Sequence, residues 1–337
     1  MPLFTIDRVR PSVARVRLRD GVEFDLATGE TVVCDARRPT GDVNVLSHAH
    51  GDHLYSGASA SVVASSLTAA VAAARGNGDP PELTDHEAVT LLDSGHVAGS
   101  RAALVDDGET RFLYTGDVST RDRAFLSGFE PVPVDVLIVE STYGRPEYVF
   151  PPQAEVESAV VDFLDETADR PAGVFGYAFG RVQTAQLLAK RADRDGALYV
   201  TDEVARVNEV VEAHLGVTFG AERWTAVATL EPGDVLVRPG SPRSAGVPDL
   251  VESSGAVTVG LSGWAQTGAF RYGRGFDAAF PLSDHCDHDE LVALVEAVDP
   301  EVVYTHHGFA ADLATALASR GFEAYALRRN QATLAEF

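Results

Sequence analysis

The heptapeptide Ser47-His48-Ala49-His50-Gly51-Asp52-His53 places three imidazoles and a carboxylate within six residues. Gly41-Asp42-Val43-Asn44-Val45-Leu46 before it reads as a strand running into a turn. Side chains two positions apart on a strand share a face, so His48 and His50 project to the same side. Gly51 is expected to let the backbone turn sharply, presenting Asp52 and His53. Imidazole and carboxylate donors together suit zinc and similar divalent ions. The competing reading is a polar loop that happens to be rich in histidine. With ten histidines in 337 residues, chance clustering is the poorer explanation. One turn cannot surround two ions, so further donors have to come from elsewhere in the chain.

Working outward, the same arrangement recurs: a β-strand followed by a donor residue at its tip. Val13–Leu18 and Gly21–Leu26 alternate, and Thr31–Cys34 ends at Asp35, a β-meander feeding the histidine strand. Asp35 alone reads as a turn aspartate; the competing role is to orient a metal histidine or the ligand loop. Residues 60–75 are small and apolar and read as a helix, broken by Gly76-Asn77-Gly78-Asp79-Pro80-Pro81. Ala88–Leu92 leads to His96 in a glycine-flanked loop. Arg101–Val105 and Arg111–Thr115 read as a hairpin whose second strand ends at Asp117. The apolar run Val134–Val139 ends at Glu140. Near the C-terminus Asp277–Leu282 leads to Ser283-Asp284-His285, and Glu301–Thr305 ends in His306-His307-Gly308. Helices are expected over 289–298 and 310–320, with a last strand at Glu323–Leu327. Polar residues carried on loops at one edge of stacked sheets are a common way to build a site. His86, His214 and His288 have no partners in this pattern and read as surface residues.

From Phe150-Pro151-Pro152 to about residue 275 the texture changes. Helical stretches (154–168, 181–192, 204–215) alternate with strands (173–177, 196–200, 256–261), which predicts α/β structure around a parallel sheet. The chain is therefore read as α/β, with one domain formed by 1–150 and 276–337 and a second, inserted, at 151–275. Gly180-Arg181 opens a helix. Backbone N–H groups at a helix start, with an arginine, suit a phosphate, and Gln183 and Ser262 are candidate additional contacts. The equal alternative is that all four cap or brace the fold. Tyr177 and Trp264 are candidates for base stacking, with core packing preferred for both.

Fifty acidic residues oppose 27 basic ones, a formal charge of -23, and Lys190 is the sole lysine. The acidic residues are dispersed rather than gathered in a tail. An acidic protein with basic partners is one reading. The preferred one is a halophilic protein, since at molar salt the Debye length is about 3 Å and such self-repulsion is tolerable. Two cysteines, Cys34 and Cys286, form no disulfide framework and fit a reducing cytoplasm. No apolar run approaches the length of a membrane span, and the first residues lack the features of a signal peptide.

The series His48-Ala49-His50-Gly51-Asp52-His53, His96 and Asp117 resembles the motifs of the metallo-β-lactamase fold, an αββα sandwich. Glu140 in Glu-Ser-Thr-Tyr-Gly, His285 in Ser-Asp-His and the His307-Gly308 pair resemble the three further motifs of its β-CASP nuclease branch, in which an α/β domain is inserted. Phe175–Gln183 and Leu261–Trp264 resemble segments of that insert, so the likeness spans nearly the whole chain. Within the branch the chain is most similar to ligase-associated DNA exonucleases and archaeal mRNA 3′-end processing factors.

The resemblance implies two divalent ions, Zn2+ first and Mn2+ as the alternative. His48, His50 and His96 would hold one, and Asp52, His53 and His307 the other, with Asp117 bridging. It further implies hydrolysis of single-stranded DNA or RNA, as an exonuclease, by a metal-activated hydroxide. His285 would act as general acid with Glu140 orienting it, and Asp52 and Asp117 would serve catalysis through the ions. Adjacent strand residues face opposite sides, which leaves His306 open as the ligand; the resemblance selects His307. Implied settings are DNA repair or mRNA 3′-end processing, with a DNA ligase, a helicase or RNA-processing proteins as partners and a homodimer allowed. Two other readings compete: a small-molecule hydrolase cleaving a thioester, lactone or lactam, and a non-catalytic scaffold subunit. The size of the insert and the Glu140/His285/His307 set count against the first, and the complete ligand set against the second. The acidic charge opposes nucleic-acid binding on ordinary electrostatics, an objection that weakens in a halophile.

Overall fold

The computed structural model describes residues 16–54, 61–76, 81–225 and 229–328. The expected strand at Val13–Leu18 begins outside them and is seen as β1 (Arg17–Leu18). With β2 (Val22–Asp25), β3 (Thr31–Cys34) and β4 (Val43–Val45) it forms a four-stranded sheet, antiparallel except for the β3–β4 pair. Helix α1 (Ser66–Arg75) follows, with Ser65 Oγ accepting the Thr68 N–H as its cap. Then come β5 (Val89–Asp93), β6 (Arg101–Asp106), β7 (Arg111–Tyr114) and β8 (Val136–Glu140).

The next layer consists of α2 (Gln153–Glu166), β9 (Ala172–Gly176), α3 (Arg181–Ala189), β10 (Leu198–Val200), α4 (Asp202–Leu215), β11 (Glu222–Arg223), β12 (Val235–Pro239), α5 (Val247–Ser254), β13 (Val257–Leu261), α6 (Gly268–Arg274) and β14 (Ala278–Phe280). Its strands form one parallel sheet in the order β11-β10-β12-β9-β13-β14. The chain closes with α7 (His288–Val298), β15 (Val302–His306), α8 (Ala310–Ser319) and β16 (Ala324–Ala326). The third sheet has the order β16-β15-β8-β7-β6-β5, so the last two strands return to extend it beside β8.

Strand alternation explains the layering. In β7 and β8, Phe112, Tyr114, Val136 and Ile138 face the first sheet and pack on Val22, Phe24, Val32 and Val45. Leu113, Leu137 and Val139, on the opposite face, pack under Leu291, Leu294 and Val295 of α7 and Leu313 and Leu317 of α8. β8 is thus buried on both faces and reads as a continuous apolar run. A third core lies between the parallel sheet and α2, α3 and α4. Leu67 and Val71 of α1 meet Val207 and Val211 of α4, joining the layers.

Several features depart from the sequence reading, the unanticipated β11, α5 and α6 among them. Strand β12 was not anticipated, yet it lies between β9 and β10; its apolar stretch is short and ends in Arg238-Pro239, which masks it. β14 lies beyond residue 275 but pairs with β13, Val259 opposite Ala278. Gly51 is not in the left-handed region, and a Cβ there would meet nothing within 4 Å, so the turn does not need glycine.

Candidate metal centre

The strand tips converge as expected. His48 Nε2, His50 Nδ1, His96 Nε2 and Asp117 Oδ2 come together: His48 lies 3.1 Å and His96 3.2 Å from His50, and both are within 3.5 Å of the Asp117 oxygen. All four residues are buried. The outer nitrogen of each imidazole has its own partner. His48 Nδ1 is 2.8 Å from Ser47 Oγ, and that hydroxyl donates to Asp35 Oδ2. His50 Nε2 lies 3.0 Å from the Phe179 carbonyl, and His96 Nδ1 lies 2.9 Å from the Asp284 carbonyl. A carbonyl pairs with a ring nitrogen only when that nitrogen carries a hydrogen, and the Ser47 hydroxyl already donates its hydrogen bond to Asp35. Each imidazole is therefore in the tautomer that points a lone pair inward, the role outer partners play around metal-bound histidines. Burial pushes His50 and His96 well below the usual imidazole range, and it also lowers His48. Burial thus favours their neutral form, the form in which imidazole binds a metal. Burial raises the Asp117 carboxyl, but His48 and His285 outweigh it and hold the group well below the ordinary range. The residues present fit a divalent ion.

The second group is looser. His53 Nε2 is 3.8 Å from Asp52 Oδ2 and 4.0 Å from Asp117 Oδ2. His307 stacks on His53 with ring centroids 5.6 Å apart. Asp52 and His307 are exposed, beside a cavity of about 240 Å³ that Arg19, Arg37 and Tyr114 also line. His307 has φ 59° and Gly308 φ 46°; a Cβ on Gly308 would come 2.3 Å from the Ser141 carbonyl, so glycine is required there. His306 is buried, stacked on Tyr114 at 5.4 Å, with neither ring nitrogen partnered among the described residues.

Asp35 is more than a turn residue. It accepts from the Ser47 N–H and hydroxyl and from Tyr114 Oη at 2.8 Å, and its Oδ2 is 3.0 Å from His53 Nδ1. Burial raises its carboxyl, and His53 more than compensates, bringing it to about 2. Beside the cluster, His285 Nδ1 lies 2.7 Å from Glu140 Oε1, and the His285 and His96 rings are 4.5 Å apart. Glu140 is fixed by the N–H groups of Val118 and Thr142. Burial pulls His285 down, but Glu140 and Asp117 outweigh it and its affinity for a proton is raised.

No family model matches the chain. It is 35% identical over 295 residues to a probable DNA ligase from Opitutus terrae, matching 84% of this chain and 28% of that protein. Over 104 residues it is 36% identical to cleavage and polyadenylation specificity factor subunit 3 of Dictyostelium discoideum, covering 30% of this chain and 13% of that one. An RNase J-like protein of Methanocaldococcus jannaschii is 29% identical over 121 residues, 35% of this chain and 29% of its own. These similarities are consistent with the likeness to the β-CASP nucleases of the metallo-β-lactamase fold. The chain spans less than a third of the length of each of these three relatives. Its fold is similar to that of a protein of unknown function from Enterococcus faecalis V583, with TM-score 0.59 over 86% of this chain and 80% of that one at 13% identity.

The residues expected to hold substrate phosphate are committed elsewhere. The Gly180 N–H donates to Gln183 Oε1, and a Cβ on Gly180 would lie 2.7 Å from Val97 and 3.0 Å from Asp284 at φ 98°. Arg181 is buried, with Nε on Asp284 Oδ2 at 2.9 Å and Nη1 directed to Ser262 Oγ. Ser262 also caps the turn at Gly263–Gln266. Asp284 is gripped from its other side by Arg123 at 2.9 Å. The sequence reading missed Arg123, Tyr114 and the Phe179 and Asp284 carbonyls; of these Asp284 stood beside His285 and Phe179 beside Gly180. Trp264 packs on Tyr143 and Tyr148 but is itself 37% exposed, and Tyr177 is 56% exposed, so neither is the core aromatic that was preferred. His288, read as a surface residue, is buried at the start of α7. Both cysteines are buried, and burial pushes the Cys286 thiol up to about 12, so neither is a nucleophile. Among the described residues no helix is long and apolar enough to cross a membrane.

Proposed function

We propose that the chain is a metal-dependent phosphodiesterase that degrades single-stranded DNA or RNA from an end. The observation that carries this reading is the Glu140–His285 pair, 2.7 Å apart, set against a cluster of neutral imidazoles around an ionised aspartate. On this reading the first and third sheets with α7 and α8 form the metallo-β-lactamase αββα sandwich. The parallel sheet is the β-CASP insert, running from 151 to about Phe280 rather than to 275. His48, His50 and His96 would hold one ion and Asp52, His53 and His307 another, with Asp117 between; Zn2+ suits these donors, with Mn2+ the alternative. Bound ions would supply an activated water and neutralise charge on the phosphate. His285, its Nδ1 fixed by Glu140, presents Nε2 to protonate the leaving oxygen. Asp117 remains ionised to face the ions, and the carbonyls of Phe179 and Asp284 hold His50 and His96 in register.

The test uses end-labelled single-stranded DNA and RNA with zinc or manganese in high salt. Wild type is expected to shorten one of them, and Asp117→Ala and His285→Ala are not. No cleavage of either by protein carrying bound metal would overturn the reading. The similarity to a probable DNA ligase supports work beside a ligase in DNA repair; similarity to a cleavage and polyadenylation factor supports mRNA 3′-end processing. The charge of -23 with one lysine supports a halophilic source. An unchanged circular dichroism spectrum in low salt against molar KCl would overturn that.

A further inference from the structure

Two side chains at the mouth of the centre have no role in the mechanism above. Tyr177 immediately follows β9, at the carboxyl end of the parallel sheet, where such folds receive ligands. Its ring is more than half exposed, meets His50 edge-on at 5.4 Å, and has the Arg181 guanidinium 5.2 Å from its centroid. Arg181 is anchored on Asp284, so one flank of the tyrosine is braced by a fixed group while much of the ring remains open.

Arg75 is the last residue of α1. Its guanidinium sits 5.9 Å from the Phe179 ring centroid. Its Nε and Nη1 are shut off from water with no hydrogen-bond partner among the described residues. Asp52, Glu203 and Tyr177 are near enough to act on its charge, as is His50, but no ion pair within 4 Å is formed among the described residues. Unpartnered buried donors on a cation are costly unless something supplies an acceptor. Phosphate matches the guanidinium fork, and an aromatic face beside it accepts a base.

We propose that Arg75 and Tyr177 form a nucleotide subsite flanking the metal cluster, with a backbone phosphate on Arg75 and the adjoining base stacked on Tyr177. The subsite rests on the nuclease reading and names the groups that grip the strand in place of Gly180, Arg181 and Ser262. It places the needed cation locally, so the acidic surface elsewhere does not have to bind nucleic acid.

The experiment is equilibrium binding, by fluorescence anisotropy, of the full metal-free chain to a short labelled single strand of thymidylate and to an abasic strand of equal length. Tyr177→Ala is expected to weaken thymidylate binding about tenfold and leave the abasic strand unchanged, and Tyr177→Phe to restore it. Arg75→Gln is expected to weaken both strands about tenfold and to reduce the salt dependence by about one phosphate contact. A second variant, Arg75→Lys, keeps the charge and is expected to fall between Arg75→Gln and wild type. If wild type binds and cleaves while the Tyr177 and Arg75 variants bind both strands as it does, the subsite fails and the nuclease reading stands. If wild type neither binds nor cleaves any strand, both fail.

Discussion

The two halves of the centre are built differently. Around His48, His50 and His96 every imidazole is buried and carries an outer partner that selects its tautomer. Around His53 and His307 the donors stand farther apart, Asp52 has 63% of its side chain exposed, and Asp35 is the sole neighbour within ion-pair distance on the outer side of His53 among the described residues. The contrast teaches that preorganisation and access are traded within one site. On the two-ion reading proposed above, the closed half would hold an ion firmly and the open half, beside a cavity, would exchange one and admit a substrate.

Asp117 faces both halves, so Asp117→Asn has the largest expected effect: activity falls below detection and metal content, measured by atomic emission, drops in both halves. His285→Ala removes a ring that lies beside His96 and Asp117 but is assigned to neither half's donor set. It is expected to lower kcat by about 10²–10⁴-fold with metal content unchanged; loss of metal in this variant would mean that the residue serves the closed half instead. His307→Ala is expected to remove an ion from the open half alone, seen as one fewer metal per chain, whereas His306→Ala keeps the metal count and lowers thermal stability. The reverse result would transfer the ligand role to His306. The smallest effect is expected from Ser47→Ala, which frees His48 Nδ1. Metal affinity of the closed half should weaken about 10–100-fold in a chelator competition, with the open half unaffected.

The candidate donors were legible because histidine is scarce and its spacing at strand tips is informative; ligand atoms of His48, His50, His96 and Asp117 lie within 4.8 Å of one another. The groups that orient them were not, since Phe179 and Asp284 act through carbonyl oxygens that every residue possesses. Gly180, Arg181 and Ser262 illustrate the opposite problem. The residue types that suit a phosphate also suit a helix start, and here they brace the fold. The unforeseen β12 shows the limit of reading a strand from its own composition, because its place is fixed by β9 and β10 on either side. Tyr177 resembled a core aromatic in sequence, and only the geometry of the sheet end leaves it open.

Asp284 lies between Arg123 and Arg181 with a carboxylate oxygen on each, while its carbonyl holds His96. Separating the parallel-sheet layer from the rest would strip Asp284 of Arg181 and His50 of the Phe179 carbonyl. Breaking a buried pair of this kind costs about 3–5 kcal/mol. The molecule therefore works less like a jaw than like the eye of a needle. Its two layers are riveted across the centre, and on the nuclease reading proposed above a strand would be fed in by its end.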